Sequence, residues 1–209
     1  MIKIVDPRIV QYLDEMAPEK DPRILAMENE AKASGFPIVD RQVGRLLYLL
    51  TRLKQPKLVV ELGSGFGYSA YWFARAISIG GKVVLTDHSE ERIEQARVMF
   101  QEAGLNHRAE FRVGDAIDIG CEYEEIDLLF IDLDKYLYVK AIEAMVPVLS
   151  RNALVVADNT LWYGSVVDRD DDRDSEGIRA FNEYMFNRRD FFTTILPVRD
   201  GVMLAYRLD

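Results

Sequence analysis

Cysteine and histidine are scarce in this sequence of 209 residues, which has a single cysteine, Cys121, and two histidines. One cysteine excludes an intrachain disulfide framework and is typical of a protein from a reducing compartment. No set of His and Cys residues has the spacing of a zinc site. Nothing near Cys121 in the sequence marks it as a nucleophile, so we interpret it as a small buried or loop residue.

Long hydrophobic runs and clusters of basic residues are also missing. No apolar stretch approaches the roughly 20 residues that span a bilayer, and the apolar start of the chain is too short for a targeting segment. The formal net charge is -9, whereas phosphate backbones are bound by clustered Lys and Arg. We therefore expect a cytoplasmic protein that binds neither membranes nor nucleic acid. A small anionic substrate at a local basic patch remains compatible with this charge.

The apolar fraction of 49% is enough to bury one sizeable core. We predict a single domain over 1–209, with a helical part at 1–55 and an α/β core at 56–209. Asp6 and Asp21 each precede a proline, which is a helix-start signal, and Gly35 is a stop signal. Apolar residues at 43, 46, 47 and 50 have the spacing of an amphipathic helix. The residues at 9, 13 and 16 are predicted to share one face of the first helix.

Strands and helices alternate in the rest of the chain. Short apolar runs predict strands at 57–62, 82–87, 109–113, 127–132 and 153–158. Helices are predicted at 68–79, after Ser89 and at 137–149. Such alternation indicates a mostly parallel sheet with helices on both faces. The runs 191–198 and 202–208 flank Asp200-Gly201, a hairpin signal, so the sheet is predicted to end in an antiparallel pair.

The segment 167–175 is rich in Asp and Arg. A solvated loop is one interpretation of it. A lid over a binding site is the other, and the sequence leaves both open.

A glycine-rich turn, Glu-Leu-Gly-Ser-Gly-Phe-Gly at 61–67, follows the first predicted strand and opens a helix. In open α/β sheets, ligands bind at the carboxyl ends of the strands. The dinucleotide pattern G-x-G-x-x-G fails here because its third small residue would be Tyr68. The G-x-G-x-G spacing after Glu61 suits a ligand with a cationic amino-acid end and no pyrophosphate.

Two further acids follow strands that end at the same edge. Asp87 can accept both ribose hydroxyls of an adenosine. NAD and S-adenosylmethionine (SAM) share that half, so Asp87 favours adenosine without separating the two cofactors. Asp115 can either bond the adenine amino group or cap a short turn.

Asp132 and Asp158 end two later predicted strands, and Asn159 follows the second. All three are expected to converge at this edge. Carboxylate and amide oxygens are hard ligands that suit Mg²⁺ or Ca²⁺, although aspartates at strand ends are also common caps. Lys135 lies three residues beyond Asp132. Partial desolvation beside a metal can lower its pKa until it accepts a proton; a pair with Asp134 is the alternative.

Four motifs together resemble the cation-dependent, SAM-dependent O-methyltransferases, which include the catechol and caffeoyl-CoA enzymes and bacterial relatives. They are ELGSGFGYS at 61–69, IDLDK at 131–135, DNTLWYGSVV at 158–167 and LPVRDG at 196–201. The resemblance runs from about residue 37 to the C-terminus. It implies a Rossmann-like methyltransferase sheet with extra N-terminal helices, and a homodimer.

The resemblance also implies residue roles. The cofactor contacts carried over are Val39, Glu61, Gly63, Ser64 and Ser69 for the methionine part, Asp87 for the ribose, His88, Asp115 and Ala116 for the adenine, and Asp134. The implied metal ligands are Asp132, Asp158 and Asn159, with Mg²⁺ favoured over Mn²⁺ or Ca²⁺. Lys135 is the implied general base, and Asp132 is the second catalytic residue.

One departure concerns the acceptor. The caffeoyl-CoA branch has a substrate-contacting asparagine where this chain has Tyr163, which leaves the substrate open. The expected reaction transfers the SAM methyl to a hydroxyl of a small catechol-like or phenolic substrate, free or linked to acyl-CoA. The alternatives are an NAD-dependent oxidoreductase and a non-catalytic SAM-binding protein.

Overall fold

The computed structural model describes residues 4–168 and 172–208. The strands are β1 (Leu58–Leu62), β2 (Lys82–Asp87), β3 (Ala109–Val113), β4 (Ile126–Ile131), β5 (Leu149–Ala157), β6 (Phe191–Leu196) and β7 (Val202–Arg207). The helices are α1 (Pro7–Met16), α2 (Pro22–Ser34), α3 (Arg41–Lys54), α4 (Tyr68–Ala76), α5 (Glu90–Glu102), α6 (Ala116–Gly120), α7 (Tyr138–Met145), α8 (Ser165–Asp168) and α9 (Arg173–Asn187).

Within the described residues, these seven strands form one sheet in the order β3-β2-β1-β4-β5-β7-β6. The pairs from β3 to β5 are parallel. Strand β7 pairs antiparallel with both β5 and β6. The mixed sheet predicted from the sequence is therefore confirmed. The strand order reverses between β1 and β4, and ligands of open α/β folds bind at the carboxyl ends of such strands.

Apolar side chains alternate between the two faces along each central strand, as the pleat requires. Val59 of β1 packs in a cluster with residues of α2, α3, α4 and α5. Val60, the next residue, packs in a cluster with residues of α7 and α9 on the opposite face. Helices therefore cover both faces, and the N-terminal helices α2 and α3 share a core with the sheet.

The predicted helix-start signals are confirmed. Asp6, Asp21 and Ser89 cap α1, α2 and α5 through their side chains, and Gly35 ends α2 in a left-handed conformation. The apolar side chains predicted on one face of α1, those of Ile9, Leu13 and Met16, are all exposed. Hydrogen bonds join α1 and the residue after it to α3 instead: the Gln42 amide donates to Asp14, and Arg45 donates to the Ala17 carbonyl.

Two predicted boundaries at the amino end of β5 differ from the structure. Helix α7 ends at Met145, and the chain continues through a 3-10 turn, Val146–Val148, that contains a proline. Proline has no N–H to continue a helix, so the predicted helix to 149 is too long. Strand β5 accordingly begins at Leu149, four residues before the predicted start.

The loop interpretation of 167–175 is wrong at both ends. Residues 165–168 form α8, and Asp172 caps α9 by accepting the N–H groups of Asp174 and Ser175. The central part of the predicted lid, 169–171, lies outside the described residues. Within the part of the chain that the structure describes, no helix is both long and apolar enough to cross a bilayer.

Candidate functional site

The glycine-rich turn between β1 and α4 is fixed by its neighbours in the sheet. The Ser64 N–H donates to the Thr86 carbonyl at 2.8 Å, and the Thr86 N–H donates to the Ser64 hydroxyl at 3.0 Å. Gly63 has φ +88°, and a Cβ on it would lie 2.4 Å from the backbone oxygen of Asp132. Glycine is thus required here both for conformation and for the close approach of the β4 end.

Glu61 lies buried beneath this turn. The Ser69 hydroxyl donates to Oε1 of Glu61, while Oε2 has no hydrogen-bond partner among the described residues. Burial raises the pKa of Glu61 to about 8, although hydrogen bonds from Ser64 and Ser69 oppose the shift. A carboxylate in this state is stabilised by a cationic group that arrives beside it.

Asp87 lies at the end of β2, next to the turn. Its Oδ2 accepts the Gly65 N–H at 3.0 Å, and its Oδ1 accepts the Ser89 N–H at 2.8 Å. The Arg92 guanidinium lies 3.8 Å from Oδ1. These bonds hold the carboxylate at the edge of a cavity that His88 also lines.

Asp115 acts as a helix cap. Its Oδ1 accepts the N–H groups of Ile117 and Asp118 at the start of α6. These backbone hydrogen bonds, that of Asp118 foremost, lower the pKa of Asp115. The capping interpretation is confirmed, while the contact with adenine stays a prediction.

A cavity of about 420 Å³ runs along the carboxyl edge of the sheet. The predicted site residues that line it are Val39, Gly63, Ser64, Ser69, Asp87, His88, Ala116, Asp132, Asp134, Lys135, Asn159 and Tyr163. Of the described residues predicted for the site, Glu61, Asp115 and Asp158 lie outside its wall. Wall residues that the sequence did not single out include Phe36, Tyr68, Arg92, Asp174 and Arg199.

Asp132 and Asp158 are placed by the parallel strands that precede them. The Asp132 N–H donates to the Leu62 carbonyl at 2.9 Å, and the Asp158 N–H donates to the Ile131 carbonyl at 3.1 Å. The sheet's hydrogen bonding thus continues one residue past β4 and β5. The expected convergence of these acids at one edge follows from that register.

Lys135 is tied to Asp132 rather than to Asp134. Its ammonium donates to Oδ1 of Asp132 at 2.9 Å, to the Leu133 carbonyl at 3.0 Å and to the Tyr138 hydroxyl at 3.1 Å. Burial alone would lower the pKa of Lys135. The interactions with Tyr138 and Asp132 together outweigh burial, and the pKa of Lys135 is raised above its ordinary value. Three acceptors thus stabilise the ammonium in this arrangement. The expected fall in the pKa of Lys135 depends on a metal beside it and stays a prediction.

Asp158 is 1% exposed and forms an ion pair with Arg199, whose Nη1 lies 2.9 Å from Oδ2. Burial and the charge of Asp132 raise the pKa of Asp158, and Arg199 opposes them. The Asn159 amide donates from Nδ2 to Oδ2 of Asp200 at 2.7 Å. This bond turns the donor side of the amide toward Asp200 and leaves its oxygen, Oδ1, as an available ligand.

Strained backbone is concentrated at this acidic end. Left-handed φ values occur at Asn159 (58°), Trp162 (41°), Tyr163 (53°) and Arg199 (54°). The two segments are joined by a hydrogen bond from the Leu161 N–H to the Asp200 carbonyl, at 2.8 Å. Tyr163 is 42% exposed, and its ring lies 5.5 Å from that of Trp162. Clustered strain of this kind points to function, since only a well-determined surrounding structure retains it.

The oxygen donors fit a hard divalent cation. Over residues 4–168 and 172–208, no group of three His, Cys, Asp or Glu residues forms a metal-binding cluster. The predicted set differs from such a cluster because its third ligand is the amide of Asn159. Asp158 Oδ1 is buried and has no hydrogen-bond partner in the described ranges. That unpaired oxygen and the free amide oxygen match the ligands that Mg²⁺ takes.

Comparison with known proteins identifies the family. A family model described as O-methyltransferase matches residues 20–208. The chain belongs to this O-methyltransferase family. That membership contradicts the oxidoreductase alternative.

Individual relatives cover nearly the whole of this O-methyltransferase. A catechol O-methyltransferase from Niastella koreensis is 30% identical over 207 residues, which cover 93% of this chain and 94% of the relative. The crystal structure of a methyltransferase from Geobacter sulfurreducens is 47% identical with a TM-score of 0.88, and each chain is covered completely. An O-methyltransferase from Bacillus cereus, solved in complex with SAH, is 29% identical with a TM-score of 0.87 and covers 96% of this chain and 97% of its own.

Proposed function

We propose that this O-methyltransferase transfers the methyl group of SAM to a hydroxyl of a small catechol-like or phenolic acceptor, with the help of a divalent cation. The observation that supports it most is the arrangement of one cavity. A glycine-rich turn and an acid suited to adenosine line the same cavity as Asp132, Lys135 and Asn159.

The cofactor part of the proposal assigns SAM to the turn end of the cavity. When bound, SAM supplies a methyl group activated on a sulfonium. Gly63, Ser64 and Ser69 line the place for its methionine part, and Glu61 lies directly behind them with an unpaired oxygen. The SAH bound to the Bacillus cereus relative supports this choice of cofactor.

The adenosine part of SAM is assigned to the ends of β2 and β3. Asp87 is held in place by two backbone N–H groups and is proposed to accept the ribose hydroxyls. His88 and Ala116 line the wall where the adenine would lie. Oδ1 of Asp115 caps α6. The proposed contact of Asp115 with the adenine is therefore assigned to its other carboxylate oxygen, Oδ2.

The cation part assigns Asp132, Asp158 and Asn159 as ligands for Mg²⁺, with Mn²⁺ or Ca²⁺ as alternatives. When bound, such a cation supplies Lewis acidity that lowers the pKa of an acceptor hydroxyl. All three ligand atoms are hard oxygens, and thiolates and imidazoles are absent from the set.

In its neutral form, Lys135 is proposed to take the proton of the acceptor at Nζ. A cation bound to Asp132 would oppose the ion pair that stabilises the Lys135 ammonium and would favour that neutral form. Lys135 lines the cavity beside Asp132, and its ammonium lies 5.6 Å from the centre of the Trp162 ring. Trp162 and Tyr163, whose rings are tilted by 51° to each other, both line the cavity and offer aromatic faces to an aromatic acceptor. In this arrangement the chain's main contribution is to align the acceptor oxygen with the methyl group.

An acceptor screen tests the proposal. Radiolabelled SAM is incubated with catechols, flavonoids and acyl-CoA esters of hydroxycinnamic acids, and the products are identified by mass spectrometry. The expected result is O-methylation of at least one compound with neighbouring hydroxyls. Tight binding of S-adenosylhomocysteine without transfer to any compound in the screen would instead support the non-catalytic SAM-binding alternative. Calorimetric binding of NAD but not of S-adenosylhomocysteine would contradict the cofactor assignment.

A further inference from the structure

Arg199 places a positive charge at the acidic end of the cavity. Its Nη1 lies 2.9 Å from Asp158 Oδ2 and 3.5 Å from Asp200 Oδ1. The Arg199 side chain is 21% exposed, and both carboxylates are almost fully buried. Charges so close together and so poorly screened by water interact strongly.

The backbone holds this guanidinium in place. Arg199 has φ 54°, in the left-handed region where side chains other than glycine are disfavoured. The following residues are anchored, since the Thr160 N–H donates to the Gly201 carbonyl at 2.9 Å and Asn159 donates to Asp200. The ion pair with Asp158 therefore belongs to a fixed turn and not to a freely moving surface arginine.

Both carboxylates of the proposed cation site already have a cation from the chain. Lys135 pairs with Asp132, and Arg199 pairs with Asp158. The unpaired oxygen of Asp158, Oδ1, belongs to the same carboxylate that Arg199 contacts. A divalent cation at that oxygen would therefore lie close to the guanidinium, and like charges at such distances repel.

We propose that Arg199 competes with the divalent cation for Asp158 and sets the cation affinity of the site low. This inference rests on the proposed cation site. Arg199 neutralises a buried carboxylate when the cation is absent, so the cation gains less by binding than it would at a free carboxylate. The site then fills only at high cation concentration.

An orienting role for Arg199 predicts the opposite sign. Residues that hydrogen-bond to a metal-ligating carboxylate fix its direction, and their removal weakens metal binding by roughly 10–100-fold. The direction of the change on removing Arg199 therefore separates competition from orientation.

The test is a titration with Mn²⁺, in which the free ion is followed by electron paramagnetic resonance. The variants Arg199→Met and Arg199→Gly both remove the charge, and glycine accepts φ 54° without strain. Arg188→Met is the matched control, because Arg188 is also 21% exposed and ion-paired, to Asp190 near the start of β6. Asp158→Asn reports whether the ion binds at the proposed site. The binding of S-adenosylhomocysteine to each protein confirms that the turn end is folded.

Competition predicts that Arg199→Met and Arg199→Gly bind Mn²⁺ at least about tenfold more tightly than the wild type, because a nearby positive charge is removed. Arg188→Met should match the wild type, and Asp158→Asn should lose the ion. Equal or weaker binding in the Arg199 variants, with Asp158→Asn still impaired, would overturn the competition and leave the cation site standing. If none of the proteins shows Mn²⁺ binding that depends on Asp158, both the competition and the cation site are overturned. If Arg199→Met does not fold, Arg199→Gly decides the result.

Discussion

At the scale of single residues, the protonation of Glu61 gives a test of the cofactor position. Its pKa is raised to about 8, so the side chain is mostly neutral at pH 7. The ammonium group of SAM or S-adenosylhomocysteine would favour the carboxylate, and binding should release a proton. We predict this release in calorimetric titrations at pH 7 made in buffers with different ionisation enthalpies. It should be absent in Glu61→Gln and at a pH well above that pKa.

The same shift has a consequence for stability without ligand. The pKa of Glu61 is higher in the folded protein than its ordinary value of 4.5, so the folded protein holds the proton more tightly. Glu61 therefore contributes to the free energy of unfolding at low pH, where it is protonated in both states. That contribution is lost as pH rises from 4.5 to about 8. Urea unfolding should therefore show the wild type losing stability relative to Glu61→Gln over this range. A parallel pH dependence of the two proteins would contradict the burial of an ionisable Glu61.

Two variants of Lys135 separate a role in proton transfer from a role in positioning Asp132. Lys135→Ala should reduce kcat by about 10²–10⁴-fold, the usual contribution of a general base. The affinity for S-adenosylhomocysteine should stay close to that of the wild type, because the hydrogen bonds of Lys135 go to Asp132, Leu133 and Tyr138 and not to the glycine-rich turn or Asp87. Lys135→Arg keeps a charge next to Asp132 but cannot accept a proton at neutral pH. An active Lys135→Arg enzyme would show that Lys135 only positions Asp132.

At this scale the sequence predicts which residues meet, whereas their roles stay predictions. Acids at the ends of parallel strands meet at one edge whatever the details of packing, which is why Asp87, Asp132 and Asn159 line one cavity. Arg199 was not singled out because its partner lies 41 residues away, and nothing in the local sequence indicates that pairing. The alternative that pairs Lys135 with Asp134 is wrong, since Lys135 pairs with Asp132. Both acids are near Lys135 in sequence, and only the turn geometry separates them.

At the scale of elements, the turn between β1 and α4 should be intolerant of a methyl group. Gly63→Ala would place Cβ 2.4 Å from the Asp132 carbonyl, so the end of β4 would have to move. Gly80→Ala is the matched control, because Gly80 has a similar φ of +85° and a methyl group added to it would meet no atom within 4 Å. Both variants have the backbone cost of a left-handed alanine, about 1–2 kcal/mol.

Only Gly63→Ala adds the steric clash, and we expect it to lose a further 1–3 kcal/mol or so of unfolding free energy. Urea denaturation of both variants measures the difference. Gly63→Ala should also weaken S-adenosylhomocysteine binding, since the turn lines the cofactor end of the cavity. Equal destabilisation of the two variants, with unchanged ligand affinity, would contradict the steric role of Gly63 in this turn.

Elements with a local signal were predictable, and those set by tertiary contacts were not. Asp6, Asp21 and Ser89 have the cap chemistry that starts a helix, and each starts one. The start of α9 was missed, because the Asp and Arg residues around Asp172 suggested a solvated loop although Asp172 has the same cap chemistry. The exposed apolar side chains of α1 show that periodicity predicts a face without identifying what packs on it.

At the scale of the whole molecule, the mixed sheet was predicted but its strand order was not. Alternating strands and helices imply parallel pairing, whereas the reversal of order between β1 and β4 depends on contacts between distant segments. The homodimer, the cytoplasmic location and the single-domain organisation stay predictions. Size-exclusion chromatography with light scattering would test the first of them.

The most direct measurement of the proposed reaction is the transfer of labelled methyl from SAM to an accepted catechol before and after removal of divalent cations. We predict that excess EDTA abolishes transfer, that added Mg²⁺ restores it, and that Asp158→Ala stays inactive in both conditions while still binding S-adenosylhomocysteine. Full transfer in EDTA, or an Asp158→Ala enzyme as active as the wild type, would contradict the cation-dependent reaction.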